Sequence, residues 1–597
     1  GRKPEPPFGI VAFHRRAKIL SAEARDLANI EILLADKTST VVQWWGRTIL
    51  PDGRVLELKQ DSLTETPVIK YGRINQRAIR GALPGVEPGC VIDYGWVVRT
   101  PTYPWMSRVI LQRPWPVRKT HHEWNPNPYL RTGCLLSRAS GMDLHASQRG
   151  HACVVDGRDL PPATEEPCMP PDAEVRPTAT FAYALPVPAG ENVWDYAGKF
   201  LETKLHEFAP SDRRALKALE EAHVGPGTPA GAKARVIHDW MARSMEWVDY
   251  SASDPSISPA RQTSETFGTF DRVFAEKRGN PLQLALVFAV LVRAAGEEAN
   301  LALAPDRSEH DWDPRLLTLS QFEEFLVLTK APGAAPEGAA VSAPATGLPF
   351  GQIPWWTAGG KSLVATATGH REVTLATSAA EDNLARTEGT VTFDGSGEAL
   401  VRFTRTQSGQ SGYFDRRSLP AMSEAARREW LDRNCGSGPE FEISESAFTS
   451  AENSTAELAY RCEGRIGGAA PATGAGERGM SLDGPWHQGL PDVTSSIRYY
   501  PIVFPFPRTE TMTLTISPGD GFAASEIPEA ISLDAPFGHF AFSVTRAPGA
   551  YVVRRELSLK RARIESTEYD RLREFLLEVR LADRTQLRFV KSGKPAP

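Results

Sequence analysis

The chain has 597 residues, more than one hydrophobic core serves, and at about 150 residues per domain it divides into several domains. A balance of 68 Lys and Arg against 73 Asp and Glu leaves a net charge of -5, which excludes the basic footprint of a nucleic-acid-binding protein. The longest apolar run, Leu284 to Val292, stops at Arg293, far short of the ~20 residues that span a bilayer, so no transmembrane helix is expected.

From Phe8 to about Tyr183, short runs rich in Val, Ile, Trp and Tyr alternate with turn chemistry. Pro51-Asp52-Gly53 in "TILPDGRVLEL" and Pro88-Gly89 in "LPGVEPGCVIDY" are turns, and Val91 to Val98 is apolar enough for an inner strand. The stretch "PPATEEPCMPPDAEVRP" is Pro-rich and acidic, which suits an extended strap over the surface. These features delimit a β-domain over residues 1–188. The opening "GRKPEPPFGI" has neither Met nor an apolar signal region, so any targeting peptide is expected to have been removed.

Helical periodicity holds from Glu191 to Gly296. Val236, Ile237, Trp240, Met241, Ser244 and Trp247 follow the spacing of one buried helix face, flanked by His238 and Asp239. A second, wholly apolar helix opens with Asn280 suited to the N-cap and Pro281 to N1, where a missing N–H costs nothing. "NLALA" and "FEEFLVLT" read as strands, so residues 189–378 form an α+β core, and "KAPGAAPEGAAVSAPATG" reads as a mobile low-complexity loop within it.

Alternation resumes in "GTVTFDGSGEALVRFTRT" and marks a second β-rich domain over 379–597, interrupted by the helical "MSEAARREWLDR". Near its end Thr567 and Asp570 offer a capping box, and Tyr569, Leu572, Leu576 and Val579 make a helical stripe before the strand "QLRFV". The expected architecture is multidomain, β-rich plus α+β, with two β-sandwich-like domains flanking the core. Cys435 and Cys462 are the only cysteines of the third domain and are expected to pair, whereas Cys90, Cys134, Cys153 and Cys168 leave three connectivities open.

The order of these motifs resembles the bacterial transglutaminase-like family of the papain-like cysteine-enzyme superfamily. The flanks agree: Leu83 to Tyr94 matches an N-terminal β-domain signature of unknown function, and Glu166 to Pro171 a Glu-Pro-x-Met-Pro-Pro stretch. Tyr569 to Arg573 is similar to the Tyr-x-x-Phe/Leu-Arg helix that ends the C-terminal β-domain. In active members the buried helix opens with Gly-Asp-Cys, and the helix dipole lowers the thiol pKa. Here the matching residues are Gly279, Asn280 and Pro281. Glu324 takes the position of the general-base His, and Ala343, in Ala343-Pro344-Ala345, that of the orienting Asp. The resemblance therefore implies a lost triad, since a thiolate forms only when an adjacent base takes and holds its proton.

Other constellations carry less. "DRSEHDWDP" gathers Asp306, Glu309, His310, Asp311 and Asp313 but lacks the Gly-centred calcium loop, and reads as a solvated acidic loop. His121 and His122 are strand neighbours that point to opposite faces and cannot easily share an ion, and Glu323 with Glu324 fails as a glycosidase pair for the same reason. No metal or cofactor is expected. The pairs Trp44-Trp45 and Trp355-Trp356 should each turn one ring outward. The expected function is non-catalytic binding or assembly on a protein or cell-envelope polymer, in the periplasm or outside the cell. The alternatives are an active cysteine peptidase or transglutaminase with its triad elsewhere, and a structural subunit of a larger envelope complex.

Overall fold

A computed structural model describes residues 8–34, 39–71, 74–100, 106–247, 266–330, 339–342, 347–394, 398–419, 422–436, 441–450, 457–467, 472–474, 477–486, 489–519 and 521–591. They form two compact units, one drawn from Gly1–Trp105 and Val248–Gly268 and one from Met106–Trp247 and Thr269–Pro597. The chain is multidomain and β-rich, with an α+β region in the second unit.

In the first unit a four-stranded sheet, in the order Gly9–Lys18, Val91–Thr100, Thr40–Ile49, Val55–Glu57, packs on a three-stranded sheet of Asn29–Leu34, Ile74–Ala82 and Thr64–Tyr71. Strand alternation sets Ile30, Ile32 and Leu34 against Ile92, Tyr94 and Val98. The inner strand carries one buried acid, Asp93, bonded by His14 at 2.9 Å and Arg47 at 2.9 Å. Burial alone would raise its pKa, but the His14 and Arg47 hydrogen bonds hold the carboxyl below the usual range. Of the tryptophan pair, Trp44 is half-buried and Trp45 more open.

The second unit begins with two three-stranded sheets. The disulfide Cys134–Cys153 ties strand Thr132–Ser137 of one to strand Ala152–Leu160 of the other, over a core of Leu111, Leu144, Val155 and Phe181. The Pro-rich segment that follows is a strap, though not extended throughout as expected: Cys168 is left-handed at φ 55° and Asp172–Val175 makes a helical turn. Its Glu166 carboxylate accepts the N–H groups of Tyr499 and Tyr500 and pairs with Arg498, the Cys168 carbonyl accepts from Val503, and Glu174 pairs with Arg563.

In the core, helix Pro281–Ala294 is buried from Leu282 to Val292, which is why its sequence is apolar all round. Helices Val193–Phe208, Asp212–Glu221 and Lys233–Ser244 surround it, and its other face lies on the strands Ala299–Ala304 and Glu324–Thr329. These belong to a five-stranded antiparallel sheet in the order Ala339–Ser342, Glu324–Thr329, Ala299–Ala304, Lys361–Thr366, Gly369–Thr374. Gly198 lets helix Val193–Phe208 lie against that sheet: a Cβ there would collide with the Gly369 carbonyl.

Three local expectations are corrected. Helix Lys233–Ser244 stops before Trp247, which instead pairs with Gly279 in a two-residue parallel bridge, and His238 is buried between Phe288 and Phe350 rather than flanking the face. Part of the low-complexity segment, Ala339–Ser342, is a strand paired with Glu324–Thr329, because Val341 has a buried place beside Val327. The Thr567 capping box is not made: Ser566–Glu568 is a 3-10 turn leading directly into helix Tyr569–Asp583.

The C-terminal region is an eight-stranded sheet in which Leu384–Phe393 runs parallel to Arg508–Ser517 and all other pairs are antiparallel. One face packs against helix Tyr569–Asp583 and a four-stranded sheet that includes Glu477–Ser481 and Gln586–Lys591. The expected disulfide Cys435–Cys462 is present, with the two Cα atoms 5.6 Å apart, and pins helix Glu424–Cys435 to strand Glu457–Ile466.

Candidate functional site

The local sequence places Pro281 as expected, at the first turn of the buried helix. Asn280 Oδ1 accepts the Gln283 N–H at 2.8 Å and Gln283 Oε1 accepts the Asn280 N–H at 3.1 Å, a reciprocal cap that leaves no side chain to act as nucleophile. Leu282 and Leu284 behind it are buried. Ala343 lies outside the described residues.

Glu324 is the first residue of its strand, and its Oε1 accepts the Trp356 indole N–H at 2.9 Å. Burial pushes its carboxyl above the ordinary carboxylate range; the Trp356 bond and the Arg417 charge pull it back, and Asp306 and Glu323 push it further up. Trp356 stacks on Tyr413 with ring centroids 5.5 Å apart and meets Trp355 edge-on at 5.7 Å. Tyr413 opens a short helix, Tyr413–Ser418, that also carries Arg416 and Arg417. Arg416 is buried; burial pushes its guanidinium down to about 10, and it donates to the carbonyls of Gly347, Gln407 and Gly409. Arg417 lies over the Trp247 ring, 4.5 Å from its centroid. A continuous set of contacts therefore runs from Gly279, beside Pro281, through Trp247 to Arg417, whose charge acts on Glu324. Sequence reasoning singled out Glu324 and Trp356 but not Arg417 or Tyr413, which lie far along the chain with no local motif.

A folded pKa above the unfolded one means that the neutral form of Glu324 favours folding. That contribution is full below the unfolded value of about 4.3 and is lost as pH rises through the folded value. Glu324→Gln keeps an acceptor for Trp356 and cannot ionise. It is expected to match the parent near pH 4 and to be more stable by about 1 kcal/mol near pH 8 in paired denaturant titrations. Equal stability of the two proteins at both pH values would contradict this.

The six cysteines leave little thiol chemistry. Four are consumed by the two disulfides, Cys90 is buried, and desolvation pushes the surface Cys168 thiol up against the opposing pull of Arg498 and Arg508. The acidic loop is answered internally: His310 is buried, with Nε2 3.1 Å from Glu323 and Nδ1 3.1 Å from the Asp311 carbonyl, while Arg315 holds Asp313. No group of three potential metal ligands occurs among the described residues. His121 turns to Asp156 and His122 to Thr120, on opposite faces. A shallow depression of about 440 Å³ on the eight-stranded sheet is bordered by Arg402 and Arg461, which pair with Glu463 and Glu445.

Two family profiles match the chain, each described as a domain of unknown function with a solved structure: DUF3857 over residues 10–130 and DUF3858 over residues 487–589. The first contains the Leu83–Tyr94 motif and the second the Tyr569–Arg573 motif. No curated protein matches the sequence. The crystal structure of a "putative protease" from Parabacteroides distasonis superposes with a TM-score of 0.53 at 15% identity, over 98% of this chain and 96% of that one, a likeness of fold. The chain is thus similar to DUF3857 and DUF3858 in two regions and shares its multidomain fold with that bacterial protein.

Proposed function

We propose that residues 189–378 are a transglutaminase-like core that has lost its triad and serves extracytoplasmic binding or assembly, flanked by β-domains over 1–188 and 379–597. The observation that carries this reading is Pro281, capped by Asn280 and Gln283 at the helix tip where a papain-like enzyme needs a thiolate. The environment of Glu324 is consistent with it, since its Oε1 accepts the Trp356 indole N–H and a carboxyl stands where the family keeps an imidazole. Two disulfides suit an oxidising compartment such as the periplasm or cell exterior. No helix among the described residues is long and apolar enough to cross a membrane.

The test combines thiol alkylation with peptidase and amine-transfer assays. The parent protein is expected to be inactive and to be alkylated at Cys168 without consequence. Pro281→Cys should add one alkylatable thiol and still no turnover, because no imidazole stands at Glu324 to take and hold its proton. Adding Glu324→His should yield at most feeble activity, with Leu282 and Leu284 crowding the tip and no orienting Asp. Activity of the parent that disappears when a single thiol is alkylated would overturn the proposal in favour of a cysteine enzyme.

A further inference from the structure

The first unit turns the Trp45 indole to solvent. Alternation along its four-stranded sheet puts Phe13, Trp44 and Val98 on the core side and His14, Gln43, Trp45 and Arg47 on the outer face. Trp45 is 38% exposed, large for a tryptophan. Its indole leans across its cross-strand partner Gly95, which leaves it room: a Cβ there would lie 3.2 Å from Cε2 and Cζ2. Covering Gly95 accounts for the inner side of the ring. Its one ring contact among the described residues is His14, with centroids 5.2 Å apart.

Three polar side chains surround that ring. His14 Nε2 lies 2.9 Å from Asp93 Oδ1, and Arg47 donates through Nε and Nη2 to Asp93 Oδ2 at 3.1 and 2.9 Å. One buried carboxylate therefore fixes both, while their side chains stay 60% and 42% exposed. An ionised Asp93 can only accept, so Nε2 carries the proton and the uncharged ring has Nδ1 as its acceptor. Arg47 Nη1 remains a donor, and Gln43, exposed two residues before Trp45, is both donor and acceptor. In the adjoining row Arg16, Asp93, Arg47 and Glu57 stand side by side, two cations and two acids that balance.

Such a surface matches a pyranose ring, which presents an apolar C–H face to an indole and a rim of hydroxyls that both donate and accept. A carboxylate or phosphate only accepts, so it would leave His14 Nδ1 unmet, and the balanced row gives it no net attraction. A proline-rich peptide docks in a groove lined by several aromatic rings, whereas here one indole stands beside one histidine.

We propose that Trp45 is the stacking platform of a binding site for an uncharged glycan chain, with Gln43, Arg47 and His14 holding hydroxyls of the stacked pyranose and Asp93 positioning the last two. This rests on the reading of the chain as a binding protein. It goes beyond that reading in naming the class of polymer and the face that binds it.

The test follows indole N–H resonances of the full chain labelled with ¹⁵N-tryptophan, with the Trp45 signal assigned by its absence in Trp45→Phe. Tri-N-acetylchitotriose, cellotetraose and mannotetraose are each titrated to about 10 mM, enough to occupy most of a 1 mM site, beside tetragalacturonate and an acetylated tetraproline amide. At least one neutral oligosaccharide is expected to shift the Trp45 signal saturably. By calorimetry Trp45→Ala should weaken that binding about 10-fold or more, and Gln43→Ala about 3-fold. Trp45→Ala also uncovers Gly95, so Gln43→Ala, at an exposed residue with no hydrogen bond among those described, tests the site with the thermal transition of the parent retained. No shift with any of the three neutral sugars, or unchanged affinity in either variant, would overturn the proposal. A response to tetragalacturonate or tetraproline as large as theirs would also overturn it, and would point to an anion or a peptide site. Thiol-dependent turnover would sink the non-catalytic reading and leave a glycan response standing, whereas a silent Trp45 signal in an inactive protein would sink this proposal alone.

Discussion

Glu166→Ala is expected to destabilise the second unit by about 3–5 kcal/mol, measured as a lower midpoint in denaturant and as faster proteolysis within the strap. The Glu166 and Arg498 side chains are 9% and 3% exposed, and their closest atoms are 3.3 Å apart. The carboxylate also accepts two successive backbone N–H groups, Tyr499 at 2.8 Å and Tyr500 at 3.0 Å. Truncation removes the only carboxylate paired with the buried Arg498, which keeps just the Tyr500 and Pro501 carbonyls, and takes the acceptor from two amide hydrogens at once, so the cost comes from those losses rather than from the attraction itself. Glu166→Gln retains one acceptor oxygen and should fall between parent and alanine. A loss below about 1 kcal/mol for the alanine variant would show that water replaces the carboxylate and that the strap is not anchored there.

The second large effect is expected at Asp583. Arg555 donates to both its oxygens, at 2.6 and 3.0 Å, and lies 3.7 Å from Glu510, with all three side chains nearly buried. Asp583 ends helix Tyr569–Asp583, where an acid opposes the helix dipole, so the ion pair to the sheet is the physical reason for its presence. Asp583→Ala should cost about 3 kcal/mol or more. Arg555→Met should cost more still, because it strands the Asp583 carboxylate and leaves Glu510 only Arg508, at 2.8 Å, whereas Asp583→Ala leaves Arg555 its contact with Glu510. Calorimetric unfolding of the three proteins checks the order, and a methionine variant less affected than the alanine variant would refute the argument.

Where neighbours in sequence are also neighbours in space, the fold was legible. Asn280, Pro281 and Gln283 build a helix start within four residues, Cys435 and Cys462 had one partner each, and proline kept the strap out of the sheets although it makes one helical turn at Asp172–Val175. Distant partners were not legible. Trp247 continues the helical spacing of Ile237 and Trp240, but pairing with Gly279 draws the backbone out of the helix. Helix Lys233–Ser244 has no cap of its own, and its first N–H groups are answered by the Glu297 carboxylate from beyond the buried helix. The same limit hid half of the candidate site. Nothing around Arg417 marks its place over Trp247, since its neighbour Arg416 has the same chemistry and an opposite fate.

The single parallel pairing in the eight-stranded sheet has a consequence for biogenesis. Leu384 sits beside Thr509 and Thr392 beside Ser517, so strand Leu384–Phe393 can form its hairpin with Ala399–Ser408 early, while its other edge waits for a segment made much later. Until Arg508–Ser517 emerges, that edge presents unpaired amides above an apolar face that includes Val391 and Phe393. Such non-local pairing is slow, because chain closure must precede any gain from contact. A chain interrupted before Ser517 would thus carry an open strand edge, and chaperone demand during synthesis should fall once the parallel strand is in place.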